Sequence, residues 1–469
     1  MLLLLAAAVF VGSASCRPCH TRIADAYAKT PMARSSGRAD LAPAARFTAA
    51  GHRYRIENNR LYFDRGSAPL DYFIGSNTAG RSYLFAREGY LFELPVTWYR
   101  QKRAWDASPG YEQEREVRLN RPVDPTCLWC HASRLRPIYG SQNRYDDPPF
   151  LDNGVSCERC HGPGSEHVRN PGTTMVNPAK LAPEERDSIC AQCHLTGEAR
   201  IERAGRRFAE FRPGERLDSY VTYFVWASKD PAMKVTSHVE KLAMSLCKRV
   251  AGDALWCGTC HDPHANANRT QAACVSCHPR AHHPEESCAS CHMPKSQTVD
   301  VGHGVFTDHR IQRIARHVST ADASTRELQV FLGKSDDREL GLAYAEVGDT
   351  RARERLLRAK PADAAVLVRL AALEQNPKLA KEKYEAVLRD DRANPVALVN
   401  LGALYAEAGR LEDAARMWKR ALEVNPAIEG AALNLARIRP PTEARRVLER
   451  YLLFNPGSTA GRAALDALP

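Results

Sequence analysis

Three textures of apolar and polar residues follow one another along the chain. Between residues 46 and 103, β-branched and aromatic side chains cluster in short runs: Arg53-Tyr54-Arg55-Ile56, Leu61-Tyr62-Phe63, Tyr83-Leu84-Phe85 and Tyr90-Leu91-Phe92. Runs of this length and composition predict strands. They are separated by Asn58-Asn59 and Arg87-Glu88-Gly89, residues that accept the positive φ of tight hairpin turns. A small antiparallel sheet with a structural role is expected over 46–103. From about residue 127 to 292 no period persists, and Pro and Gly recur, as in Asp146-Asp147-Pro148-Pro149 and Gly162-Pro163-Gly164. Short helices and loops fit that texture. After about residue 320, Ala, Leu, Arg and Glu recur at helical spacing.

The helical stretch repeats itself. Leu401-Gly402, Tyr405, Gly409, Ala414, Trp418, Ala421 and Pro426 follow the tetratricopeptide pattern of paired helices, and Leu435-Ala436 follows Leu401-Gly402 by that repeat's period of 34 residues. An earlier copy has Leu340-Gly341, Tyr344 and Gly348 and ends near Pro361. A degenerate unit has Leu370-Ala371, Ala380 and Tyr384, and a last helix runs near Glu443 to Phe454. Four helical hairpins are expected across 319–469. Such stacks present a concave surface, so docking of a redox partner protein is the expected role, with capping or oligomerisation as the alternative.

At 469 residues with 44% apolar content, the chain has room for two or three domains with packed cores. The one long apolar run, Leu2 to Val11, precedes Gly12-Ser13-Ala14-Ser15. It is too short to span a bilayer and reads as the core of a secretory signal covering 1–15, although no Lys or Arg precedes it. The expected protein is exported, periplasmic or at the cell surface, with no transmembrane segment.

Cysteine changes the picture most. Fourteen of the fifteen cysteines fall in seven copies of Cys-x-x-Cys-His. They are Cys16/Cys19/His20, Cys127/Cys130/His131, Cys157/Cys160/His161, Cys190/Cys193/His194, Cys257/Cys260/His261, Cys274/Cys277/His278 and Cys288/Cys291/His292. This is the attachment signature of c-type haem: the two thiols form thioethers with the porphyrin, and the histidine binds the iron from the proximal side. Zinc sites do not require a histidine after every second cysteine. Seven haem c groups are expected within 16–318. The closeness of the last motifs leaves too little chain for an ordinary side-chain core, so the porphyrins are expected to supply buried apolar surface. The fold class is then mainly α: a haem-packed multihaem cytochrome c domain with few regular elements and a small antiparallel β insertion, followed by an α-helical repeat solenoid.

The formal charge of +11 would suit nucleic-acid binding, but two propionates on each haem offset much of it, and no nucleic-acid partner is expected. Arginines near the haems are natural partners for those carboxylates. Cys247 is left over and reads as a buried, unpaired thiol, with a reactive or intermolecular thiol as the other reading.

The segment Gly154-Val155-Ser156-Cys157-Glu158-Arg159-Cys160-His161-Gly162-Pro163-Gly164-Ser165-Glu166-His167 resembles the tetrahaem cytochrome c family that accepts electrons from hydroxylamine oxidoreductase. Cys257-Gly258-Thr259-Cys260-His261-Asp262-Pro263-His264 and the motifs after it resemble the doubled Cys-x-x-Cys-His multihaem cytochromes. With the helical tail, the chain resembles exported bacterial multihaem cytochromes fused to tetratricopeptide repeats. The resemblance implies electron transfer through haems in close-packed pairs. In relatives the first motif is often followed by Ser-x-His, whose histidine is a distal ligand; Met32 stands at that place here. Its thioether is either a distal ligand, which would raise the potential, or a contact on a porphyrin edge.

Nine of the sixteen histidines lie outside the motifs. In a haem-dense chain they are candidate distal ligands: His167 and His264 first, then His238, His283, His303 and His309, with His52 behind them. His282 and His317 are expected not to ligate. If every iron is closed on both sides, the chain is an electron carrier and no residue is catalytic. The alternative is a multihaem oxidoreductase of a small nitrogen or sulfur compound with one open iron, for which the sequence carries no positive sign. No motif has Lys in place of its His.

Overall fold

The structure is a computed structural model describing residues 9–76, 78–228, 231–265, 267–279, 287–313 and 326–469, with backbone only at 267 and 268. His282, His283, His317 and the first eight residues of the expected signal lie outside the described residues.

Nine strands follow the first motif: β1 (Ser36–Arg38), β2 (Ala45–Ala49), β3 (His52–Glu57), β4 (Arg60–Phe63), β5 (Gly66–Pro69), β6 (Tyr72–Ile74), β7 (Gly80–Arg87), β8 (Tyr90–Tyr99) and β9 (Ala104–Ala107). They form two antiparallel sheets, β2-β3-β4-β5 and β1-β6-β7-β8-β9. In β3, Tyr54 and Ile56 are buried while Arg53 and Glu57 are exposed, the alternation of a strand with one face on a core. That core joins Tyr54, Ile56, Leu61 and Phe63 to Tyr83, Phe85, Phe92, Leu94 and Trp105 of the other sheet. Asn58 and Asn59 take φ of 50° and 53°, and Glu88 and Gly89 take 51° and 82°, so both hairpins turn with two left-handed residues. Gly89 is also required by space, since a Cβ there would stand 2.8 Å from the Tyr145 carbonyl oxygen.

The motif-bearing stretches form short helices joined by turns and two-stranded ribbons. A further sheet, Ala199–Glu202, Val221–Trp226 and Leu328–Leu332, joins this part to the tail. Its third strand lies in the stretch read from sequence as the start of the helical tail.

Helices then alternate with short turns: Asp337–Glu346, Ala352–Arg358, Ala364–Ala372, Pro377–Asp390, Pro395–Glu407, Leu411–Val424, Glu429–Arg437, Pro441–Phe454 and Thr459–Asp466. Asn376 and Asn394 cap their helices with side-chain oxygens, each just before a proline at the first helical position. In Leu411–Val424, Ala414, Ala415, Trp418, Ala421 and Val424 form the buried stripe. Gly402 faces Trp418 so closely that a Cβ would stand 2.5 Å from the indole nitrogen.

This tail is fastened at both ends. At its start, Leu342, Ala343 and Tyr344 share a core with Ala199, Ile201, Phe224 and Leu328. At its far end, Phe454 is buried in the core of the two sheets, ring to ring with Tyr90 and Phe92. Asn455 accepts the Leu119 N–H, and Arg450 pairs with Glu88. The fold is thus a helical tail of paired helices together with several small antiparallel sheets. "Mainly α" suits the tail, whereas residues 36–107 are dominated by strands.

Candidate haem sites

The motifs owe their local shape to one helical turn. On a helix, positions three and four apart share a face, which sets the cysteines of a motif, and its histidine where the turn continues that far, on one side. Glu158–His161, Cys257–Cys260 and Cys288–His292 are such turns, and Pro183–His194 and Thr270–Cys277 carry a motif at or near their ends. The second motif starts at a defined cap: Asp124 accepts the N–H groups of Thr126 and Cys127, with Pro125 between.

Thiols from different motifs come together. Cys16 interacts with Cys157, Cys130 with Cys193, Cys190 with Cys257 and Cys274 with Cys288. The first of these pairs is held by Glu158, a fully buried carboxylate accepting from the backbone N–H groups of Val11, Gly12 and Gly164. A second tie links the second, third and fourth motifs. Trp129 Nε1–H donates to Gln192 Oε1 at 3.1 Å, and Gln192 Nε2–H donates to the Arg159 carbonyl at 3.3 Å. Sequence reasoning passed over Glu158, Arg159, Trp129 and Gln192. Their one signal was position, between or just before the cysteines of a motif. Among the described residues, no three or more of His, Cys, Asp and Glu gather as a metal ion bound by side chains alone would need.

The sequence treats all fourteen motif cysteines alike, and the structure does not. Cys19, Cys127, Cys277 and Cys291 are exposed, whereas the other ten are partly covered. Cys19 and Cys291, each the second cysteine of its motif, join none of the thiol pairs above. Cys19 sits in the turn between the short helix Ser13–Cys16 and the helix Thr21–Tyr27. Cys291 lies in the helical turn Cys288–His292, its Sγ 3.8 Å from the Ser290 Oγ. The reason is local: Cys16–Thr21 and Cys288–His292 contain no buried residue, so the chain itself places nothing over these two thiols. Exposure does not bear on their expected role, since a thiol that is to be bonded to a group beyond the chain has no need of cover from the chain.

The histidines show what the motifs fit. Two imidazoles on opposite sides of one metal ion, each at a metal–nitrogen distance of about 2.0 Å, have ring centres roughly 6.2 Å apart. His20 and His167 stand 6.2 Å apart at 23°, His161 and His264 5.9 Å at 15°, and His261 and His309 6.1 Å at 28°. His194 and His238 are closer, 5.2 Å at 83°, and His238 also lies 4.7 Å from His309. Four motif histidines therefore each meet a histidine from outside the motifs.

Hydrogen bonding fixes which nitrogen is free. Nδ1–H donates to a carbonyl in His161 (Val176, 2.7 Å), His167 (Thr173, 2.7 Å), His292 (Gln312, 2.7 Å) and His309 (Thr307, 3.0 Å). A carbonyl only accepts, so in these rings Nε2 keeps its lone pair, the form that metal-binding histidines take. Burial lowers His131 and His194 to about 4 and His238 to about 3, and also lowers His309. All four are neutral at pH 7. The Nδ1 atoms of His131, His194 and His238 are buried with no hydrogen-bond partner.

Other candidates are placed differently. His52 uses Nε2 against the Glu114 carbonyl at 3.1 Å, and His303 uses Nε2 against Asp106 Oδ2 at 2.6 Å with its ring edge-on to Tyr99. In both, the nitrogen needed for iron is engaged. Met32 is anchored beside the second motif: Ser35 Oγ lies 2.8 Å from the Met32 carbonyl oxygen and 2.9 Å from that of His131. Cys247 is half-buried and interacts with Cys260 and Cys274 of the fifth and sixth motifs. Among the described residues, His131, His278 and His292 have no histidine ring stacked or edge-on against them as the other four motif histidines do.

Residues 97–162 match the cytochrome c554 and c-prime family, a stretch containing the second and third motifs. The multihaem cytochrome MtrA of Shewanella baltica (strain OS185) is 24% identical over 176 residues, 32% of this chain and 51% of MtrA. The chain thus spans about half the length of that relative. Among solved structures, the outer cell wall cytochrome OcwA aligns over 91% of this chain and 99% of its own, with a TM-score of 0.45 and 15% identity. A tetratricopeptide repeat protein from Parabacteroides merdae aligns over 27% of this chain and 56% of its own (TM-score 0.24, 22% identity). The motifs, the family match and the likeness to MtrA support a multihaem cytochrome carrying haem c and its iron. No helix among the described residues is long and apolar enough to cross a membrane.

Proposed function

We propose that the chain is an exported heptahaem electron-transfer protein whose helical tail meets its redox partner. The observation that carries this reading is the set of four histidine pairs, each joining a motif histidine to one outside the motifs. His167, His264, His238 and His309 are the proposed distal ligands of the irons held by His20, His161, His194 and His261. Haem c bound at the motifs supplies an iron that exchanges one electron between Fe(III) and Fe(II). The chain's own residues then have fixed tasks. Carbonyls 173, 176, 307 and 312 orient the imidazoles, Glu158 and Gln192 hold motif to motif, and the thiol contacts bring attachment points close. The exposed thiols of Cys19 and Cys291 are proposed attachment points like the other twelve. Met32 is the proposed ligand beside His131. Domain limits of 16–318 for the haem part and 319–469 for the tail belong to the same proposal.

The second reading, an oxidoreductase of a small nitrogen or sulfur compound, draws on His131, His278 and His292, which have no such histidine partner among the described residues. Low-temperature EPR of the oxidised protein, with haem and iron counted on one sample, separates the two. Seven low-spin irons support the carrier. A high-spin signal near one iron per chain, altered by nitrite or hydroxylamine, supports the enzyme. Partner docking needs a different test from removal of 320–469, because that deletion would uncover Ile201, Phe224 and Tyr90. Charge reversal at exposed positions of the tail, followed by the rate of reduction by the native partner, tests docking with the fold intact.

A further inference from the structure

We propose that the guanidinium of Arg159 is a built-in positive charge that raises the reduction potentials of the irons attached through the second, third and fourth motifs. This rests on reading those motifs as haem sites. Arg159 lies inside the third motif. Its guanidinium carbon sits 3.8 Å from the centre of the Trp129 ring, inside the second motif, and its carbonyl accepts from Gln192, inside the fourth. The residue is 9% exposed. One Nη2–H donates to the Ala132 carbonyl at 3.2 Å, while Nε is buried with no hydrogen-bond partner. Among the described residues it forms no ion pair, and the adjoining Glu158 turns its carboxylate to the amides of Val11, Gly12 and Gly164.

A guanidinium does not give up its proton in a protein, so this charge persists although burial disfavours it. It interacts electrostatically with Cys130, Cys160 and Cys193, and a buried charge is screened much less than one at the surface. Each Fe(III) that takes one electron becomes Fe(II), with no bond made or broken, and loses one positive charge. A cation close by favours that loss. The second, third and fourth motifs would form a group of high-potential irons, toward which electrons from the other sites run downhill.

The test is an optical redox titration of the full haem-loaded chain with dithionite, haem and iron being counted on the same sample. Arg159→Gln should shift the Fe(III)/Fe(II) equilibrium of a subset of irons about tenfold toward Fe(III), a fall of about 59 mV for a one-electron couple. Arg159→Lys should leave them in place. No shift in a fully loaded Arg159→Gln protein overturns the proposal, as does an equal shift in Arg159→Lys, which would point to packing. If Arg159→Gln loses haem, Arg159→Met, which keeps an unbranched stem against the Trp129 ring without the charge, should lower the same couples; no fall there is equally fatal. A wild-type protein without haem at these motifs would instead defeat the haem reading itself.

Discussion

Residues 246–313 and 337–466 differ in what fills them. The first stretch carries three motifs, yet only Gly304 and Asp308 are buried among its described residues. The second buries Trp418, Tyr451 and Phe454 almost completely, with alanines and leucines packed between. Leu246 and Val250, one helical turn apart, are exposed at 63% and 79%, an apolar face that this part of the chain leaves uncovered. A stretch that buries so little of itself cannot offset the entropy of ordering its backbone. The tail can. The contrast teaches that one part of this protein is specified by side-chain packing and the other is not; in the function proposed above, attached haem takes that place.

Withholding haem should break the contrast most severely. In protein made without haem attachment, amides of 246–313 are expected to exchange with solvent at the rate of an unfolded chain, while those of 337–466 stay protected. Hydrogen exchange read by mass spectrometry measures both regions in one sample. Comparable protection in the two would show that the first has a side-chain core after all.

Next in size is the tail's own core. Trp418→Ala empties the space between Leu398, Ala414 and Leu435 and should cost about 3–5 kcal/mol. The loss should appear in thermal unfolding followed by far-ultraviolet circular dichroism, with the haem spectrum unchanged below the transition. A coincident loss of haem absorbance would mean that the two parts unfold as one.

The two regions were also unequally legible in the sequence. Asn58-Asn59 and Glu88-Gly89 announced their turns because a left-handed pair needs those residue types, and Trp418 with Gly402 announced a helix pair because period and size complementarity are local. Strand β1 and strand Leu328–Leu332 were not legible. Each is defined by a distant partner, Tyr72–Ile74 in one case and Val221–Trp226 in the other. The motifs could be read directly as a pattern, but not that Cys19, Cys127, Cys277 and Cys291 stand exposed, since cover depends on what other segments bring. Which spare histidine meets which motif could not be read either. Glu114 and Asp106 decide the fates of His52 and His303, and neither is near its histidine in the sequence. Phe454 read as the end of a helix; nothing local indicated that it completes the core of two sheets.

Gly402→Ala probes the tail by crowding instead of emptying. The added methyl meets the indole of Trp418, which is held by its bond to the Val399 carbonyl at 3.1 Å. Overpacking of this kind should cost about 1–3 kcal/mol, seen in the same circular dichroism melt. A Gly402→Ala protein as stable as wild type would show that the indole can shift at no cost, and that the helix pair is looser than its spacing implies.

The smallest effect belongs to the seam between the tail and the sheets. Arg450 reaches Glu88 through two hydrogen bonds of 3.2 and 2.8 Å, but both side chains are about half exposed. Water and salt screen such a pair, so Arg450→Ala should cost no more than about 1 kcal/mol, and a double mutant with Glu88→Ala should show a coupling that fades in high salt. Phe454 sits one helical turn further on, fully buried between Tyr90 and Phe92. The seam therefore has a screened charged rim over an apolar anchor. A coupling well above 1 kcal/mol that persists in high salt would reverse that order, making the ion pair, and not the phenylalanine, the principal fastening of the tail.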